Sequence, residues 1–164
     1  MKTIFLVFII LFVSCSAKEP IQFSELALKD AVYDISNTQF SIKEMFQKYK
    51  GKQVLVDIWA SWCGDCIKSL PSIRNLQKEY PEVVFLFLSV DKSKKTWKKG
   101  IERFQIKGAH YYLPKGMKSG AFVDFIDLNW IPRYMVLDER GEITLFNAIN
   151  TSDSSIEKAL KKAI

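Results

Sequence analysis

The chain has 164 residues, 48% of them apolar, which is enough for one globular domain with a sizeable core. Its 24 basic and 18 acidic side chains leave a formal charge of +6, too little to argue for a nucleic-acid binder. The sequence shows no internal repeat and no low-complexity tract, so it is read as a single unit behind a leader.

The first segment reads as an address. Lys2 supplies a positive start, and Ile4 to Val13 is an unbroken apolar run of ten residues. That run is too short to span a bilayer and fits the apolar stretch of a signal peptide. It ends at Phe12-Val13-Ser14-Cys15, which resembles a bacterial lipoprotein processing site, with Phe12 where Leu is usual. The expected organisation is a signal peptide over 1–14, a lipidated Cys15 with a polar tether over 15–24, and a domain over 25–164. A tether of ~10 residues reaches at most about 35 Å, so the domain is expected to work close to its membrane, facing the periplasm of a bacterial envelope. In the alternative, an ordinary secretory signal, Cys15 is discarded. In both cases Cys63 and Cys66 remain the thiols of the mature domain, and they pair with each other or with a substrate.

Beyond the tether, Leu26 to Ile35 reads as a short hairpin turning at Lys29-Asp30. Ser41 to Tyr49 reads as a helix, with Ile42, Met45, Phe46 and Tyr49 at helical spacing, a capping box of Ser41 and Glu44, and Gly51 at its end. Val54 to Trp59 is a near-continuous apolar run, as in a strand buried on both faces. Asp57 interrupts it. A carboxylate there either faces solvent at a strand end or is buried with a raised pKa and a proton-handling role.

Trp59-Ala60-Ser61-Trp62-Cys63-Gly64-Asp65-Cys66 follows, and a helix is expected from Cys63 to about Tyr80, kinked at Pro71. At a helix N-terminus the first sulfur meets free N–H groups and the positive end of the macrodipole, which favour a thiolate. The thiolate is the attacking species in disulfide exchange. Cys63 is therefore the candidate nucleophile, and Cys66, one turn on, the candidate resolving thiol.

Val83 to Val90 reads as the next buried strand, closed by Asp91. Lys92, Lys94, Lys95, Lys98 and Lys99 read as a solvated loop and first helical turn, with attraction to an anionic surface or an acidic partner as the other reading. Trp97, Ile101, Phe104 and Ile106 predict a packed helix despite Gly100. His110 is read as a loop or core residue beside a short strand, and Tyr111 and Tyr112 as packing residues. A helix is expected over Ser119 to Leu128, a hairpin over Arg133 to Asn147 turning at Asp138 to Gly141, and a last helix from Ser154 to Ile164 capped by Ser154 and Glu157.

At Trp62, Cys63, Cys66, Asp57, Pro71 and Ile131-Pro132 the chain resembles the thioredoxin superfamily, and within it the membrane-tethered extracytoplasmic oxidoreductases of the TlpA/ResA type. The resemblance implies an α/β fold: a thioredoxin-like three-layer sandwich, with a central mixed β-sheet and helices on both faces. It implies that Asp57 is a buried acid that accepts and returns the Cys66 proton through water. It implies a cis Ile131–Pro132 bond facing the disulfide, with Ile131 pairing with substrate backbone and Trp62 and Pro132 at the substrate-binding site. Gly64 and Asp65 tune the pair. Asp65 stands where such proteins often carry proline, and its charge disfavours a neighbouring thiolate, so a reductant is expected.

Protein thiols or disulfides are the expected partners, with a membrane thiol carrier as upstream electron donor and the Cys63–Cys66 disulfide as the only redox group. A monomer is expected. A zinc or copper-delivery protein is the rival reading, but one Cys-x-x-Cys supplies two ligands where structural zinc needs four. A thiol peroxidase lacks its Thr-x-x-Cys pattern here.

Overall fold

The computed structural model describes residues 19–161. The apolar run of the leader, Cys15 and the last three residues lie outside them, and with them the expectations of cleavage and lipidation. The elements in chain order are α1 (Glu25–Leu28), β1 (Ala31–Asp34), β2 (Gln39–Ser41), α2 (Ile42–Gln47), β3 (Val54–Trp59), α3 (Gly64–Glu79), β4 (Val84–Ser89), α4 (Lys94–Phe104), β5 (Ala109–Tyr112), α5 (Ala121–Phe125), β6 (Arg133–Leu137), β7 (Ile143–Ala148) and α6 (Ser154–Lys161).

The strands form one mixed sheet in the order β2-β1-β5-β4-β3-β6-β7. β3, β4 and β5 run parallel, and the remaining pairs are antiparallel. β3 lies near the middle, and all six of its residues are buried, as its near-continuous apolar run requires. α3 and α4 cover the same face, as two right-handed crossovers stepping in one direction must. Arg74 and Gln77 of α3 donate to the carbonyls of Phe104 and Lys107 at the end of α4. The other face carries α1, α2 and α5, held by Phe23, whose ring lies 5.1 Å from Phe46, 5.8 Å from Phe122 and 5.6 Å from Phe125. The result is the expected helix–sheet–helix sandwich. Trp59, Trp97, Tyr134, Phe87 and Phe122 are its largest fully buried side chains. Burying each such side chain contributes roughly 1.5–3 kcal/mol.

Local sequence signals placed several elements. The α2 capping box forms as read: Ser41 Oγ accepts the Glu44 N–H at 3.2 Å and the Glu44 carboxylate accepts the Ser41 N–H at 2.7 Å. Gly51, at φ +83°, turns the chain after that helix. Gly100, a helix-weakening residue inside α4, is required by packing: a Cβ there would lie 2.6 Å from the Ser61 Cβ.

Three expectations are corrected. The N-terminal hairpin turns between Asp34 and Thr38, with Asn37 at φ +71°, and not at Lys29-Asp30. Ser24 instead caps α1 over the residues read as the first arm, and Asp30 is buried, accepting Lys115 Nζ at 2.7 Å and the Phe122 N–H at 2.8 Å. Two residues before position 25 also touch the domain: Phe23 is half-buried against the core, and the Ile143 N–H donates to the Ile21 carbonyl at 2.8 Å. The helix expected over Ser119 to Leu128 shrinks to α5, which begins after Gly120 at φ +116°. At α6 the cap is Asp153, which accepts the Ser155 N–H at 2.8 Å, so Ser154 is already helical.

Candidate active site

β3 ends at Trp59 and the chain turns through Ser61 and Trp62 into α3. The turn is fixed from the end of β4. Asp91 is buried and accepts the Ser61 N–H at 3.0 Å, the Ser61 hydroxyl at 2.6 Å and the Ser89 hydroxyl at 2.8 Å. With Gly100 packed against Ser61, these bonds set where α3 begins. The residue at that N-terminus is Cys63. It is the N-cap, and its Sγ accepts the Cys66 N–H at 3.1 Å. A helix cap is normally an oxygen acceptor such as Ser or Asp. Here the acceptor is sulfur, placed where the unpaired N–H groups and the dipole stabilise negative charge.

Cys63 and Cys66 form a disulfide with Cα atoms 5.3 Å apart. Both are largely buried, Cys63 at 6% exposure and Cys66 at 2%, so Cys63 is the slightly more exposed residue of the pair. The helix behind them runs unbroken through Pro71, whose missing N–H leaves the Ile67 carbonyl without its usual partner. The Ile131–Pro132 peptide is cis, and the Ile131 carbonyl oxygen lies 3.6 Å from Cys63 Sγ. Arg133 braces this loop from below. Buried next to the proline, its guanidinium donates to the carbonyls of Ile126 and Asp127 at 2.8 and 3.3 Å. Burial holds its pKa below the ordinary arginine value.

Trp62, Cys63, Gly64, Asp65 and Ile131 line one groove of about 350 Å³, together with Met117, Asn129 and Trp130. Trp62 and Trp130 are more than half exposed and flank the sulfur. Gly64 is exposed, with open space where a Cβ would stand. Pro132 is buried and borders a neighbouring hollow shared with Asp65 and Lys68. Asp65 is exposed and its carboxylate meets Lys68 Nζ at 3.2 Å. That pairing adds to the solvent screening expected for an exposed carboxylate beside the sulfur pair.

Asp57 takes no part in the groove. It is 2% exposed, and its Oδ1 meets no hydrogen-bond partner among the described residues. It stands opposite Tyr134 of β6 and Phe87 of β4, so these side chains share one face of the sheet. The Tyr134 hydroxyl reaches α3, donating to Ser69 Oγ at 2.8 Å, and Ser69 donates to the Cys66 carbonyl at 2.7 Å. Asp57 therefore faces the helix that carries Cys66. Desolvation raises its pKa from 3.8 to about 8, which leaves a carboxyl that exchanges its proton near neutrality. The solvent-facing alternative for Asp57 is thereby overturned. Burial, and then the neighbouring Asp57, push the Tyr134 phenol upward.

Sequence reading missed Asp91, Ser69, Tyr134, Arg133 and Met117. Asp91 was visible as a carboxylate ending an apolar strand. The others carry no local signal, since each acts through a partner far along the chain. His110 behaves as a packing residue: its ring stacks on Phe87 at 5.3 Å, Nε2 lies 2.9 Å from the Ile106 carbonyl, and burial lowers its pKa. A separate hollow of about 370 Å³, lined by Phe23, Phe46 and Arg140 among others, lies away from the sulfur atoms.

Comparison with known proteins agrees with this geometry. A family model described as thioredoxin-like matches residues 51–143. The thioredoxin-like protein YneN of Bacillus subtilis is 29% identical over 122 residues, covering 72% of this chain and 69% of that protein. The thiol-disulfide oxidoreductase ResA of Bacillus cereus is 23% identical over 150 residues, covering 90% of this chain and 82% of that one. Among solved structures, a thiol-disulfide oxidoreductase from Bacteroides fragilis superposes with a TM-score of 0.69 at 18% identity, covering 85% of this chain and all of that one. The thioredoxin domain of one from Bacteroides vulgatus gives 0.68 at 20% identity, covering 88% and 99%. With a family match over more than half its length and a Cys-x-x-Cys disulfide at the head of α3, the chain belongs to the thioredoxin-like family, among the thiol–disulfide oxidoreductases.

Proposed function

We propose that the protein reduces disulfides in extracytoplasmic proteins, held at a bacterial envelope by a lipid on Cys15 and recharged by a membrane thiol carrier. The observation that carries the chemistry is the seat of Cys63 Sγ, accepting a backbone N–H at the N-terminus of α3 and facing the Ile131 carbonyl. In the reduced protein the Cys63 thiolate attacks one sulfur of a substrate disulfide. A Cys63–substrate disulfide forms and the other substrate sulfur leaves as a thiolate. Cys66 then gives its proton to Asp57, through water, and attacks Cys63 Sγ. The Cys63–Cys66 disulfide closes, the second substrate sulfur leaves, and two electrons have passed to the substrate. Ile131 supplies backbone pairing for the substrate segment beside Pro132, and Trp62 covers it. Gly64 leaves the approach to Cys63 open, since open space lies where its Cβ would stand, apart from its own chain neighbours and helix backbone.

The test is limited alkylation of the reduced protein with iodoacetamide, followed by peptide mapping. Cys63 is expected to react first, Cys66→Ser to accumulate mixed disulfides through Cys63, and Cys63→Ser to accumulate few. Faster labelling of Cys66 would overturn the roles. Equilibration against glutathione tests the direction of electron flow: a pair more oxidising than glutathione would refute the reductant role.

A further inference from the structure

The lysine-rich segment after β4 is not used by the chemistry above, and it stands beside it. A hollow of about 860 Å³ opens beside Trp62, between the start of α4 and the loop that follows β5. Trp62, Met117 and Pro114 form its apolar lining, and Lys92, Lys115 and Lys118 line it as well. Trp62 and Met117 also line the groove around Cys63, so the two spaces adjoin at these side chains. Of the three lysines, Lys115 is committed to Asp30 at 2.7 Å, while Lys92 and Lys118 are exposed and form no ion pair among the described residues. The one carboxylate in the wall, Asp91, is 2% exposed and occupied by Ser61 and Ser89. The space therefore offers an apolar seat rimmed by two lysines, Lys92 and Lys118, that form no ion pair among the described residues.

From this geometry, and resting on the oxidoreductase reading, we infer that the preferred substrate is a protein segment in which an apolar residue and acidic residues lie next to the attacked cysteine. The apolar side chain sits between Trp62 and Met117. The acidic residues meet Lys92 and Lys118. An anionic membrane would be drawn by the same lysines, but a bilayer laid on this face would cover the groove that leads to Cys63. A peptide uses both spaces at once. Electrostatic steering by a few charges raises association rates by tenfold or more, and salt removes the effect.

The experiment uses the full-length reduced protein and two disulfide-linked peptides, identical except that Glu or Lys flanks a Leu-Cys core. Second-order reduction rates are measured at about 0.01 M and about 1 M ionic strength, where the Debye length falls from about 30 Å to about 3 Å. Uncharged 2-hydroxyethyl disulfide reports whether the thiols are active at all. The acidic peptide is expected to react about tenfold faster than the basic one at low salt, with the ratio near one at high salt. In Lys92→Glu/Lys118→Glu the low-salt ratio is expected to fall to one or below. The ratio within each protein cancels any change in intrinsic thiol reactivity, and the salt arm needs no variant. Equal rates for the two peptides at low salt would overturn the inference. So would a double variant that keeps the peptide ratio but loses binding to phosphatidylglycerol vesicles. Failure to reduce even hydroxyethyl disulfide would instead overturn the oxidoreductase reading on which it rests.

Discussion

Replacing Asp57 with asparagine tests burial and function of that carboxyl together. With a folded pKa raised from 3.8 to about 8, the native state holds a proton that the unfolded chain has released throughout the interval between those values. The unfolded state then binds fewer protons, so the contribution of Asp57 to stability falls as pH rises, by about 1.4 kcal/mol per unit. It is most favourable below the unfolded pKa and is lost progressively up to the folded one. The asparagine side chain does not titrate, and the Tyr134 phenol, which Asp57 pushes upward, stays protonated across this pH range in both proteins. The stability difference between Asp57→Asn and the wild type should therefore be small near pH 4 and grow in favour of the variant, to about 4 kcal/mol at pH 7. Urea unfolding of the two oxidised proteins at several pH values between about 4 and 8 measures it. The same variant should slow turnover by roughly 10²–10⁴-fold, because the Cys66 proton loses its acceptor. A stability difference that stays flat with pH would refute burial of a protonated carboxyl, and an unchanged turnover rate would refute the proton-transfer role.

Asp65→Asn should raise the reduction potential by less than about 10 mV at low salt, since Asp65 is exposed and already meets Lys68. A fall against glutathione at pH 7 would refute the charge argument. Gly100→Ala should lower stability by about 1–3 kcal/mol, because its Cβ would meet Ser61 at 2.6 Å, and should also slow alkylation of Cys63 by moving the turn that carries it. Thermal unfolding and alkylation rates check both. Cys15→Ser should abolish incorporation of labelled palmitate without changing the reduction potential, and persistent label would refute lipid attachment at that residue.

Much of the substrate-facing architecture depends on the segment between Asp91 and Trp130. It supplies α4, which seats Gly100 against Ser61, and β5, which lies between β1 and β4. It also supplies Met117 and the lysines of the hollow beside Trp62. Asp30 ties the segment to the N-terminal hairpin through Lys115 and the Phe122 N–H. The residues nearest the disulfide set its chemistry, and this segment shapes what can approach it.

What was legible in the sequence was local. The apolar run of β3, the sulfur pair at the start of α3, the Ser41–Glu44 capping box and the β6–β7 turn at Asp138 to Gly141 each rest on residues within one turn or one strand of each other. Helical and strand periodicities and caps are set at that range, so they can be read directly. Asp57 was legible as an anomaly, a charge in an apolar strand, but only the sheet on one side and α3 on the other decided that it is buried and titrates near neutrality. The hairpin turn was misplaced because Asp30 looks like a turn residue, whereas Lys115 and Phe122, far along the chain, bury it. Asp65 is legible as an exposed charge beside the sulfur pair, and the fold adds its contact with Lys68. Ser69, Tyr134 and Arg133 are ordinary residues in a sequence, and they acquire roles only where the fold brings them to Cys66 and to the cis peptide. The sequence determined the reactive group and the elements that carry it. Tertiary structure decided desolvation, charge compensation and the shape of the approach, because each depends on neighbours that no local pattern specifies.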